Sequence, residues 1–151
     1  MPSVPKPGSV GLRAWNVVTG LNTRAYRLSG GRVGGRWKGR NPILLLEHVG
    51  RKSGQTRTTP LVYLEDGDDY VVVASRGGSE DNPAWLHNLR ANPHATVQIG
   101  AERRAVEARV ADAEERARLW PRLVEFNPDY GAYQKRTERE IPVVLLRRTG
   151  S

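Results

Sequence analysis

The sequence predicts an α+β domain built round a small antiparallel barrel or half-barrel, with about six mostly antiparallel strands and flanking helices. Three observations carry this. The runs PILLLEHV (42–49), RTTPLVYLE (57–65) and YVVVAS (70–75) have strand length and are rich in branched and aromatic side chains. The joints between them, GRKSGQT and DGDD, are short, whereas a parallel crossover needs a dozen residues or more. Helical patterns fall at the ends and between hairpins and do not alternate with every strand.

Each element has its own local reason. Residues 1–8, MPSVPKPG, are Pro-rich and predict a disordered tail. Leu12, Trp15, Val18 and Leu21 recur at helical spacing and predict a helix over 9–29, weakened by Gly20. GGRVGGRWKGRN (30–41) is too Gly-rich for a helix and dense in backbone N–H groups that could bind an anion. The chain therefore divides into a basic N-terminal segment, 1–40, and a barrel domain, 41–151. Within the second strand, Pro60 predicts an edge or a bulge, because it has no N–H for a ladder. NPAWLHNLRANP (82–93) predicts a short helix between two Asn-Pro turn signals. ATVQI and RRAVEARVA predict a hairpin around GAE. Asp112 followed by Glu115 predicts a capping box opening a helix to Phe126, with Leu119, Trp120, Leu123 and Val124 on its core face. Pro121 predicts a kink or restart within it. NPDYGAYQKRTERE (127–140) is a polar connection, and IPVVLLRR (141–148) is the last strand.

Composition narrows the chemistry. The 151 residues include no cysteine, which excludes disulfides and thiolate catalysis and fits a reducing compartment. No apolar run reaches the length of a membrane span and no signal-peptide pattern follows Met1, so the expected location is the cytoplasm. The formal net charge of +8 resides wholly in the first third of the chain. Up to Leu46 there are eight cations (Lys6, Arg13, Arg24, Arg27, Arg32, Arg36, Lys38, Arg40) and no acid. The other 16 basic residues balance the 16 acidic ones. Such a segment attracts a polyanion, whether nucleic acid, an acidic lipid surface or a small molecule. A solvated basic tail is the plain alternative.

Three clusters could carry chemistry. In the turn GRKSGQTRTTP (50–60), Gly50 and Gly54 permit positive φ and close backbone approach, so several N–H groups can converge on one oxyanion. Lys52 supplies a compact charge, Arg57 a bidentate fork, and Ser53, Thr56, Thr58 and Thr59 hydroxyl donors. A solvated surface hairpin is the alternative. In ASRGGSEDNPAW (74–85), Ser75 and Arg76 precede two glycines, and Trp85 is either a stacking wall or a core residue. Tyr130 and Tyr133 share a face if their segment is helical, and a phenol is a hydrogen-bond donor at neutral pH. His48, His87 and His94 lack metal-ligand spacing, so no metal is expected.

Together and in this order, GRKSGQTRTTPL, VVVASRGGSEDNPAWLHNLRANP and WPRLVEFNPDYGAYQKRTEREIPVVLL resemble the deazaflavin-dependent nitroreductase and quinone reductase family, over roughly residues 45–146. The resemblance implies a split β-barrel of the FMN-binding-like kind. It also implies coenzyme F420, an 8-hydroxy-5-deazaflavin with a phosphate and an oligoglutamate tail. The activity implied is hydride transfer from the reduced coenzyme to a small electron acceptor, a quinone, nitroaromatic or other electron-poor compound. By matching position, Arg51, Lys52, Ser53 and Arg57 correspond to the phosphate-binding turn. Thr58, Thr59, Pro60, Leu61 and Val62 match the coenzyme-lining strand. Val73, Ala74, Ser75 and Arg76 match the stretch under the deazaflavin ring, with Ser75 facing ring and substrate. Ala84, Trp85, Leu86, His87 and Asn88 match the wall on the tail side, and Tyr130 and Tyr133 match tyrosines closing the substrate pocket. Ser75, Tyr130 and Tyr133 are thus the catalytic candidates. Val62 and Asn127 stand where nitroimidazole-activating relatives place tyrosines.

The coenzyme tail is also a fitting partner for the basic segment, with peripheral contact to an anionic membrane the competing use of residues 1–40. Two rival functions keep the barrel or the charge but change the ligand: an FMN-binding split barrel, and a basic module for nucleic acid or anionic membrane. Nucleic acid ranks low as a partner, since the aromatics interleaved in the basic segment are only Trp15, Tyr26 and Trp37.

Overall fold

The computed structural model describes residues 41–149 together with the backbone of 36–37. The expected tail, the helix over 9–29 and most of the Gly-rich stretch lie outside these residues. The described strands are β1 (Arg36–Trp37), β2 (Asn41–Val49), β3 (Thr56–Val62), β4 (Leu64–Asp66), β5 (Asp69–Val73), β6 (His94–Ile99), β7 (Glu102–Val110) and β8 (Val143–Arg148). Among the described residues three α-helices accompany them, α1 (Ala84–Ala91), α2 (Ala113–Phe126) and α3 (Asp129–Lys135), with one 3-10 turn at Arg76–Gly78.

All the pairings are antiparallel, in the order β1-β2-β6-β7-β8-β5-β4, with β3 on β2. Only Tyr63 separates β3 from β4, and its N–H donates to the Pro42 carbonyl (3.2 Å). One bent strand therefore lies along β2 with its first half and along β5 with its second, and the sheet curls round on itself. This is the curled antiparallel barrel with flanking helices that the sequence predicts. Pro60 pairs with Leu45 without a bulge, on a strand that has β2 as its ladder partner. Among the described residues no strand pairs on its other side, so the missing N–H falls on an edge there, as expected.

The curl makes two cores. Inside, Leu44, Leu46, Val72, Val97, Val106, Val144 and Leu146 pack round Trp85, Leu86 and Leu89 of α1. Outside, Val71, Val73, Val143 and Leu145 pack against Leu119 and Leu123 of α2, Tyr130 and Tyr133 of α3, and Ile141. Strands β5 and β8 are buried on both faces, which is why VVV and VVLL show no polar alternation. Burial of each such side chain contributes roughly 1.5–3 kcal/mol.

Two elements differ from expectation. Helix α2 opens with the expected capping box: Glu115 N–H donates to Asp112 Oδ1 (2.8 Å) and Asp112 N–H to Glu115 Oε1 (3.2 Å). It then runs unbroken through Pro121 to Phe126. Pro121 points to solvent, while the buried Leu119 and Leu123 on either side hold the helix to the sheet. The forfeited hydrogen bond is outweighed by that packing. The polar connection after α2 is in part helical: its two tyrosines, three residues apart, are driven onto one buried face of α3.

Candidate functional site

The turn between β2 and β3 is held by its own backbone. Gly50 N–H donates to the Gln55 carbonyl and Gly54 N–H to the Gly50 carbonyl, both at 2.8 Å, while Gln55 N–H donates to Ser53 Oγ (3.2 Å). The two glycines serve different needs. Gly54 takes the left-handed conformation (φ 71°), whereas Gly50 supplies room, since a Cβ there would meet Ser53 Oγ at 2.7 Å. Arg51, Lys52 and Arg57 are exposed, and none has a carboxylate partner among the described residues. Nor do the Lys52 and Ser53 N–H groups meet an acceptor among those residues. Three cations and two backbone donors that find no partner among the described residues, round one glycine-lined turn, suit a phosphate.

The turn is tied to the body of the domain by a residue that sequence reasoning set aside. His48 is 3% exposed. Its Nε2 lies 2.9 Å from Thr59 Oγ1, and its Nδ1 lies 3.0 Å from Asn88 Nδ2. Asn88 Oδ1 in turn accepts from the Arg51 N–H (3.0 Å). One imidazole thus joins β2, β3, α1 and the turn. Desolvation by burial, with the Arg57 charge added, lowers its pKa from 6.5 to about 4, so the ring is neutral. A signal existed: after Leu44 and Leu46, position 48 is the next inward-facing site of the strand, and a polar residue there needs a partner.

The second cluster begins where β5 ends. Ala74 N–H donates to the Pro142 carbonyl (2.9 Å), and the chain then turns through Arg76 (φ 46°), Gly77 (φ 65°) and Gly78 (φ 81°). A positive φ at Arg76 carries strain that its surroundings must offset. They do so through Arg139, the other residue missed. Its Nε donates to the Ser79 carbonyl (2.8 Å) and its Nη1 to Asn82 Oδ1 (2.8 Å) and the Ala74 carbonyl (3.3 Å). Its Nη2 donates to the carbonyls of Ser75 (2.9 Å) and Ala74 (3.3 Å). Arg136 Nη1 adds a bond to the Gly77 carbonyl (3.3 Å). In the sequence, RTERE looks like solvated charge; the partners of Arg139 lie 57–65 residues away, and nothing local announces them.

The remaining predicted residues sort by face. Cross-strand partners share a side, so Arg57, Thr59 and Leu61 point inward with His48, Leu46 and Leu44. Thr58, Pro60 and Val62 point outward, and Val62 packs on Ile43 and Leu45. The five predicted residues of β3 from Thr58 to Val62 therefore cannot all present side chains to one ligand. Trp85 and Leu86 sit in the inner core at 5% and 1% exposure, where they pack. Asn88 is buried but polar and wired to the turn, His87 is half-buried, and Ala84 is exposed. Ser75 and Arg76 are half-buried. Tyr130 and Tyr133 are buried against β5 and β8. Burial raises both phenols, Tyr133 to about 12, so each remains a protonated donor at neutral pH. Tyr133 Oη has no hydrogen-bond partner among the described residues. A Cβ on Gly78 would stand 2.7 Å from the Tyr133 carbonyl, so the Gly-rich loop lies directly on α3.

Helix α1 connects the clusters. It starts just after Asn82, which Arg139 holds, and carries Asn88 to the turn four residues beyond Ala84, about 6 Å along the axis. The arrangement offers a cationic turn with exposed backbone donors, a loop clamped in an unusual backbone conformation, and two protonated phenols.

Comparison with known proteins gives a consistent picture. The family described as F420H(2)-dependent quinone reductase matches residues 19–148. An F420H(2)-dependent quinone reductase of Mycobacterium tuberculosis (strain CDC 1551 / Oshkosh) is 45% identical over 131 residues, 85% of this chain and 88% of the relative. A solved F420-H2 dependent reductase superposes with TM-score 0.65 at 40% identity, covering 70% of this chain and 94% of the other. The haem storage protein of Vibrio cholerae superposes with TM-score 0.57 at 12% identity, covering 88% and 92%, and shares the fold alone.

Proposed function

Because the chain belongs to the F420H(2)-dependent quinone reductase family, we propose that it is an oxidoreductase that binds coenzyme F420 across the β2–β3 turn and the loop after β5, and reduces a quinone there. The coenzyme, when bound in its reduced form, supplies a hydride. The observation that carries the placement is the turn itself: among the described residues Arg51, Lys52 and Arg57 have no acidic partner, and the N–H groups of Lys52 and Ser53 beside them meet no acceptor. Those donors suit a phosphate, with Arg57 forking and Lys52 acting as a point charge. The clamp made by Arg139 holds Ser75 in place, and the hydroxyls of Ser75, Tyr130 and Tyr133 are the donors for negative charge developing on a quinone oxygen. The raised phenol pKa values support donation without ionisation. The eight cations ahead of Glu47 attract the anionic coenzyme from a distance, an effect that salt weakens. Among the described residues no helix is long and apolar enough to cross a membrane.

The test is the double variant Lys52→Ala/Arg57→Ala. Fluorescence titration with coenzyme F420 is expected to show affinity lowered at least tenfold, with the melting temperature within about 2 °C of the parent because both side chains are exposed. A loss of stability with unchanged affinity would make the turn a surface hairpin and move the coenzyme elsewhere.

A further inference from the structure

The hydrogen-bond chain behind the turn has a direction that can be read from its ends. The Arg51 main-chain N–H can only donate, so Asn88 Oδ1 accepts and the amide NH2 faces His48. That NH2 can only donate in turn, so Nδ1 is the lone-pair nitrogen of His48. A neutral imidazole then carries its proton on Nε2, which donates to Thr59 Oγ1. The opposite tautomer would set two donors face to face at 3.0 Å in a buried site. Thr59 has thus received a hydrogen bond and keeps its own proton, for which no described residue supplies an acceptor. It is half-buried and shares a face of β3 with Arg57.

Resting on the reading that the turn holds the coenzyme phosphate, we propose that His48 is a positioning residue for that anion. Its Nε2–H tautomer presents the Thr59 hydroxyl as a donor beside Arg57. Through Asn88 it fixes the Arg51 main chain, so that the Lys52 and Ser53 N–H groups stay turned to the ligand. His48 acts through these neighbours and does not touch the coenzyme. Each nitrogen and oxygen of the Arg51 N–H, Asn88, His48 and Thr59 relay has a partner, while the Thr59 hydroxyl hydrogen beside Arg57 meets no acceptor among the described residues, which points the relay toward a ligand.

Two measurements test this. In a ¹⁵N-resolved histidine spectrum of the unmodified protein, with His48 assigned by its loss in His48→Gln, Nδ1 is expected unprotonated and Nε2 protonated at neutral pH. The reverse tautomer, or an imidazolium, overturns the proposal whether or not any variant folds. In fluorescence titrations with coenzyme F420, His48→Phe and Thr59→Val are each expected to bind about tenfold more weakly. His48→Gln, which keeps one donor and one acceptor, is expected to stay within about threefold. Parental affinity in either His48→Phe or Thr59→Val overturns it. Lys52→Ala/Arg57→Ala, titrated alongside, separates the two ideas. If that variant loses affinity while the others do not, only the role of His48 fails. If it binds like the parent, the phosphate turn fails and the role of His48 with it.

Discussion

Replacing Arg139 by methionine removes a cation that donates five hydrogen bonds to the loop 74–82, three of them at 2.8–2.9 Å. Bonds from a charged donor contribute about 1.5–3 kcal/mol each, which would naively sum to roughly 7–15 kcal/mol. Two terms reduce this. The guanidinium is partly desolvated, enough to hold its pKa below the usual arginine range, and that cost disappears with the charge. The loop is half-exposed, so water can reach some of the released carbonyls. A net loss of about 2–4 kcal/mol remains, equivalent to roughly 5–15 °C in melting temperature for a chain of this size. Because Ser75 is among the acceptors, quinone reduction is expected to fall further than the folded fraction does. Arg139→Lys should recover little, since one ammonium with three donors cannot span Ala74, Ser75, Ser79 and Asn82. Differential scanning calorimetry with steady-state quinone reduction on both variants decides it. A methionine variant that melts within 1 °C of the parent and retains its KM would refute the clamp.

Other consequences follow from single observations. His48 is neutral in the fold, with its pKa lowered from 6.5 to about 4, so the stability it contributes is present above pH 6.5 and is lost as pH falls toward 4. His48→Gln should flatten that slope in denaturant titrations run between these limits, and an unchanged slope would assign it to other groups. Gly78→Ala combines φ 81° with a Cβ 2.7 Å from the Tyr133 carbonyl and should cost about 2–4 kcal/mol. Gly67→Ala, at φ 60° with nothing within 4 Å, should cost about 1–2 kcal/mol. Equal denaturant midpoints for these two would refute the close approach of loop and α3. Tyr133→Phe removes a buried hydroxyl that no described residue satisfies, so it should raise stability by up to about 1 kcal/mol while lowering quinone turnover severalfold. A drop in melting temperature would show that the hydroxyl has a partner.

Legibility in the sequence followed the range of the interactions. The capping box of α2 lies within four residues, and the strand patterns within seven to nine, so each could be recognised where it stands. The helix of Tyr130 and Tyr133 was harder to see because its reason is tertiary: a polar segment is folded by two side chains meeting β5 and β8. Pro121 misled for the same reason, since packing of Leu119 and Leu123 overrides a local breaker.

What the sequence by itself determined is the fold class, the family, the cationic turn and the Gly-rich loop, because these depend on side-chain period, composition and near neighbours. Only the tertiary structure decided how those parts are held. The curl of the sheet brings His48 between Thr59 and Asn88, and the return of β8 brings Arg139 beneath the loop that follows β5. It also sent Trp85 inward to the core and divided β3 between two faces. Buried hydrogen bonds are satisfied by whatever the fold brings within about 3 Å, and residues 40 or 64 positions apart carry no mark of one another until the chain has closed.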